Sequence, residues 1–98
     1  MKETTPREVE QLLNDGVSLQ LIDVREADEV AAGMIPTAIN IPLGLLEFRM
    51  HELDKTKEYI MVCRSSARSG RATQFLESQG FNATNMVGGM LAWEGKTV

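Results

Sequence analysis

Apolar residues along this chain fall into two rhythms that alternate, one helical and one of short continuous runs. Val9, Leu12 and Leu13 recur at helical spacing behind Thr5-Pro6-Arg7-Glu8. There Thr5 can cap, Pro6 suits the first helical position and Glu8 completes a capping box. Gly16 predicts the stop, with Val17 placed to pack back on Leu12. Leu19 to Val24 reads as a strand, and Glu26 to Ala32 as a short helix stopped by Gly33. Ala38 to Ile41, between Pro36 and Pro42, is a second strand, and Leu45 to Leu53 a further helix. Tyr59 to Val62 is apolar at every position, the mark of a strand covered on both faces and therefore central. Ser69 to Gln79 is a helix with Ala72, Phe75 and Leu76 along one side; Gly80 ends it and Phe81 is placed to contact Leu76. Ala83 to Val87 is the last strand, after which Gly88-Gly89 turns the chain into a short helix carrying Trp93. A strand before Thr5 has only a faint signal. The alternation predicts an α/β fold in three layers, a mostly parallel sheet of four to five strands with helices on both faces.

Ninety-eight residues fit one domain spanning 1–98, and a mean hydropathy of -0.16 is ordinary for a globular chain. A net charge of -4 argues against a general nucleic-acid or anionic-membrane binder, so neither is expected as a partner. The first residues hold no apolar signal core, and the apolar runs are too short to span a membrane, so the expected location is cytoplasmic. One cysteine excludes an intramolecular disulfide, and one cysteine with one histidine, His51, is too little for a structural zinc site. No cofactor is expected.

The single cysteine, Cys63, stands where the central strand stops and the helix after it starts. A free cysteine in that position is most often a small buried hydrophobe. Its flanks point elsewhere. Arg64, Arg68 and Arg71 are three of the ten basic residues, and no acidic residue occurs between Glu58 and Glu77. Ser65, Ser66 and Ala67 are small, so the backbone can curl tightly and present its N–H groups as an anion nest. The dipole of the following helix adds to the field. Each feature favours thiolate over thiol and an anion nearby. In a parallel sheet, ligands bind outside the carboxyl ends of the strands, where Asp23-Val24, Cys63 and Gly88-Gly89 all lie. No second cysteine exists to resolve a disulfide, and nothing marks His51 as a base for protease chemistry. What remains is attack on sulfane sulfur, or on phosphorus or arsenic held in the same nest.

Three segments together resemble the single-domain rhodaneses, the thiosulfate and persulfide sulfurtransferases. The first is Leu21-Ile22-Asp23-Val24-Arg25-Glu26 with Ala32-Gly33-Met34-Ile35-Pro36 and Ala38-Ile39-Asn40-Ile41-Pro42. The second is the loop Cys63-Arg64-Ser65-Ser66-Ala67-Arg68-Ser69, and the third is Gly88-Gly89-Met90-Leu91-Ala92-Trp93. The resemblance runs from Thr5 to about Trp93. It implies that Cys63 is the nucleophile, taking sulfur from a small sulfur anion or a persulfide donor and passing it to a thiol or a protein acceptor. It implies that the N–H groups from Arg64 to Ser69 stabilise the persulfide, and that Arg64 and Arg68 attract the donor or orient the loop. Asp23 and Arg25 are expected to be structural, a carboxylate satisfying loop N–H groups and a guanidinium paired with an acid.

Met34 stands where the family commonly has His, and Thr37 where it commonly has Gly. Met34, Met86 and Met90 could form an apolar rim for a protein acceptor, or simply fill the core. Two other readings stay open. A phosphatase or arsenate reductase could use the same cysteine loop, although the phosphatases that resemble rhodaneses have a loop one residue longer than the four residues between Cys63 and Arg68. A non-catalytic binding module of the same fold typically lacks the cysteine.

Overall fold

The computed structural model describes residues 1–98. Five strands form one sheet: β1 (Lys2–Thr4), β2 (Gln20–Asp23), β3 (Ile39–Asn40), β4 (Glu58–Val62) and β5 (Asn82–Met86). All neighbours are parallel, in the order β1-β5-β4-β2-β3. The fold is therefore the expected α/β sheet with the apolar strand β4 at its centre. Four α-helices join the strands: α1 (Pro6–Asn14), α2 (Ala27–Ala31), α3 (Leu46–Arg49) and α4 (Ala67–Ser78). A closing 3₁₀ turn spans Gly89–Ala92.

Alternation along β4 divides the core. Tyr59, Met61 and Cys63 pack on one face with Ile22, Val24, Leu46 of α3 and Ala72 and Leu76 of α4. Val62 points to the other face and meets Leu21, Met86, Ile35 and Val9 of α1. A two-residue period thus places Cys63 under α4 while its neighbour sits under α1.

Two of the three predicted glycine stops, Gly16 and Gly80, form paired hydrogen bonds at the helix end. Gly16 (φ 80) donates to the Leu13 carbonyl and Val17 to that of Leu12, while Gly80 (φ 86) donates to Glu77 and Phe81 to Leu76. The capping box at Thr5 closes only halfway. Thr5 Oγ1 accepts the Glu8 N–H at 3.1 Å, but the Glu8 carboxylate takes the Thr5 hydroxyl instead of its N–H. The reciprocal bond appears at α2, where the Glu26 N–H donates to Glu29 Oε1 at 2.9 Å.

Several boundaries differ from the sequence reading. The faint strand before Thr5 exists as β1, paired to β5 from Lys2 with Thr84 to Thr4 with Met86. The helix expected over Leu45 to Leu53 is a 3₁₀ turn (Leu43–Leu45), one turn of α3 and another 3₁₀ turn (Met50–Glu52). Only Leu46 of α3 is buried, too little apolar anchorage to hold a long regular helix. Helix α4 begins at Ala67, two residues before the predicted Ser69, because the Ser66 carbonyl already accepts the Gly70 N–H at 2.8 Å. No helix is long and apolar enough to cross a membrane.

Candidate active site

Cys63 follows the last residue of β4, at the start of the loop into α4, and is 1% exposed. Two sets of backbone bonds fix that loop. The Val24 N–H donates to the Val62 carbonyl at 2.8 Å, anchoring the strand end to β2. The Met90 and Leu91 N–H groups donate to the carbonyls of Cys63 and Arg64, at 2.9 and 3.0 Å. The first turn of α4 carries the N–H groups of Ala67, Arg68 and Ser69 ahead of the first intrahelical bond, that of Gly70. An α-helix leaves such groups without intrahelical partners. Because each peptide is planar and trans, tying the carbonyls of Cys63 and Arg64 to the 3₁₀ turn directs the N–H groups of Arg64 and Ser65 away from it.

Gly88-Gly89 makes this strap possible. Gly88 has φ 94 and Gly89 φ 56, and a Cβ on Gly89 would stand 2.6 Å from the carbonyl oxygens of both Cys63 and Arg64. Sequence reasoning gave the pair a turn role; that the segment after it holds the cysteine loop by main-chain bonds had no side-chain signal to announce it.

The three arginines separate. Arg68 is committed: Nη1 lies 2.6 Å from Glu29 Oε1 and Nη2 2.8 Å from Oε2, joining α4 to α2. The Arg68 guanidinium, with the Glu26 N–H, holds the Glu29 carboxyl down to about 2. Arg68 therefore ties the start of α4 to α2, and its charge is largely met by the Glu29 carboxylate. Arg64 and Arg71 are exposed and belong to none of the four ion pairs in the chain. Ser65 and Ala67 are exposed and Ser66 half-buried, and Ser66 makes no side-chain cap. Ser69 is fully buried: the Cys63 thiol donates to its Oγ at 3.2 Å, and that Oγ lies 2.5 Å from Asn85 Oδ1 and 3.2 Å from the Ser66 carbonyl. Asn85 and Glu29 are the two residues at this site that the sequence did not single out; each comes from an element remote along the chain.

Asp23 and Arg25 form a buried pair at the adjoining strand end. Asp23 Oδ1 accepts the Arg25 N–H, and the guanidinium donates to both carboxylate oxygens, with Nη2 to Oδ2 at 2.8 Å. Nη2 also donates to the Gly33 carbonyl, and the Asn40 side chain donates to the carbonyls of Asp23 and Arg25. This cluster braces the wall without touching the thiol. Of the two readings of the methionines, Met86 follows the core one, being fully buried, while Met90 packs half-buried against the same cluster and Met34 is half-buried. His51 is exposed, with Nδ1 3.0 Å from the Phe48 carbonyl, on the segment after α3.

The rhodanese-like domain family matches residues 5–96. The chain is 45% identical over 97 residues to YtwF of Bacillus subtilis, whose name provisionally makes it a sulfurtransferase, covering 99% of this chain and 94% of that one. It is 37% identical to a sulfurtransferase of Allochromatium vinosum over 95% of this chain and 88% of the relative. The crystal structure of a rhodanese-like domain protein from Staphylococcus aureus superposes with a TM-score of 0.93 at 34% identity, covering 98% and 94% of the two chains. By fold and by sequence, the chain belongs to the rhodanese-like domain family.

Proposed function

We propose that the protein is a sulfurtransferase that carries sulfane sulfur as a persulfide on Cys63. In the first half-reaction the Cys63 thiolate attacks the outer sulfur of a donor such as thiosulfate. A new S–S bond forms, the donor's S–S bond breaks, and its electron pair leaves with sulfite. In the second, an acceptor thiolate attacks the outer sulfur of Cys63–S–S⁻. The S–S bond to Cys63 breaks, the acceptor becomes the persulfide, and the electron pair returns to Cys63 as thiolate. No redox partner is consumed, because the sulfane sulfur keeps its oxidation level through both steps.

The observation that carries this reading is the closeness of the cradle. Cys63 is 1% exposed beneath a short loop pinned by Met90 and Leu91. The N–H groups of Arg64, Ser65, Ala67, Arg68 and Ser69 would supply the donors for the anionic outer sulfur. Arg64, exposed and unpaired, would attract an anionic donor. Asp23, Arg25, Arg68 and Ser66 hold the frame. The relatives named as sulfurtransferases at 37–45% identity support the same chemistry. Intact-mass spectrometry after incubation with thiosulfate or inorganic polysulfide tests it. One added sulfur on the wild type and none on Cys63→Ser is expected. No gain from any sulfane donor, or an equal gain in Cys63→Ser, would overturn it.

A further inference from the structure

The Cys63 sulfur ends a buried chain of polar side chains that leads to β5. Sγ lies 3.2 Å from Ser69 Oγ, which lies 2.5 Å from Asn85 Oδ1. The three residues are 1%, 0% and 3% exposed, so the chain is largely shielded from solvent. Asn85 sits beside Met61 in the sheet register, on the face covered by α4. Directly above it α4 has Gly70, whose missing side chain leaves the amide nitrogen uncovered; a Cβ there would lie 3.4 Å from Nδ2.

Proton counting shows why an amide belongs at this end. With Cys63 as thiol, S–H donates to Ser69 Oγ, and the single Ser69 proton goes on to Asn85 Oδ1. With Cys63 as thiolate, sulfur can only accept. Ser69 must then turn its proton to Sγ, and its oxygen needs a donor. A half-turn of the Asn85 amide supplies one, because its two ends are nearly isosteric while one accepts and the other donates. The chain then runs Nδ2–H to Oγ–H to S⁻. Aspartate or leucine in the same volume offers no such donor.

We infer that Asn85 is a positioning residue that acts through Ser69 to stabilise Cys63 as thiolate, and above all as the leaving thiolate when sulfur passes to the acceptor. The inference rests on the persulfide reading. It separates the two half-reactions. When acceptor attacks the outer sulfur, charge develops on Sγ, and a supported Ser69 hydroxyl lowers that barrier. In loading, the same support raises the thiolate population but lowers its nucleophilicity, and the two effects oppose.

The test is single-turnover kinetics on the full chain, loading with thiosulfate or polysulfide and unloading with dithiothreitol, both read by intact mass. Asn85→Leu and Asn85→Asp are expected to unload about tenfold more slowly, the size of one lost hydrogen bond to a charged group, and to load within about twofold of wild type. Asn85→Thr, whose hydroxyl can both donate and accept, is expected to recover most of the unloading rate. If the leucine or aspartate variant does not fold, Asn85→Ala takes its place with the same expected split. Equal slowing of loading and unloading, no slowing of unloading, or a threonine variant as slow as the leucine variant would overturn the inference. A wild type that gains no sulfur would instead overturn the persulfide reading beneath it.

Discussion

Arg68 on the cysteine loop's helix and Glu29 on α2 are joined fork to fork, at 2.6 and 2.8 Å, across 39 positions of sequence. The pair is about 30% exposed on each side, so its worth is modest. The Glu29 carboxyl titrates near 2, against 4.5 for a free one. A carboxyl lowered by folding stabilises the fold fully above its unfolded value, and the contribution is lost as pH falls through the folded one. Glu29→Gln is therefore expected to lower unfolding free energy by about 1 kcal/mol at neutral pH. Urea titrations should show the gap to wild type constant above pH 4.5 and shrinking as pH falls toward 2. A gap that persists undiminished in acid would mean that the glutamine disturbs packing and not the ion pair.

The strap over the cysteine loop makes a sharp comparison between two left-handed glycines. Gly16 has φ 80 with nothing within 4 Å of an added Cβ, whereas on Gly89 the Cβ would meet two carbonyl oxygens at 2.6 Å. Gly16→Ala should cost about 1 kcal/mol, from backbone strain alone, and leave sulfur loading unchanged. Gly89→Ala should cost at least about 2 kcal/mol and also slow loading, since the Cys63 and Arg64 peptides must shift to admit the methyl. Thermal melts and single-turnover loading check both. Equal effects of the two substitutions would show that the strap does not hold the loop.

Much of this geometry was legible in the chain, and the missing parts share a cause. Helix stops at Gly16 and Gly80 and the central place of β4 follow from local spacing, so they could be read directly. Strand β1 is Lys2-Glu3-Thr4 with no buried residue; only its pairing to β5 makes it a strand. Cys63 and its loop stood out by composition. Glu29 and Asn85 did not, because each acquires its role from a partner 39 or 16 positions away. The Arg68 charge was visible, but its prior commitment to Glu29 was not. The Met90 and Leu91 contacts are made by main chain, on which sequence is silent.

Thr37 is the one residue other than glycine with a positive φ, 73°. A β-branched side chain there is held in the left-handed region at a real conformational cost. The position is exposed, so no packing is lost by truncation. Thr37→Gly is expected to raise the unfolding free energy by about 0.5–1 kcal/mol, the relief of strain exceeding the added freedom of the unfolded chain. Urea denaturation with an unchanged slope would establish it. A loss of stability would show instead that the Thr37 side chain makes a compensating contact.

The division among the arginines predicts a kinetic signature for Arg64. Arg68 is bound to Glu29, and Arg71 lies a turn further along α4, so on the proposed chemistry Arg64, next to Cys63 and in no ion pair, would be the cation a donor anion meets at the mouth. Its action would be Coulombic and would precede the chemical step. Arg64→Ala should thus raise KM for thiosulfate about fivefold, leave kcat within about twofold, and lose most of its effect at about 1 M salt, where exposed charges are screened within about 3 Å. A fall in kcat with KM unchanged would place Arg64 in the stabilisation of the persulfide and not in the capture of the donor.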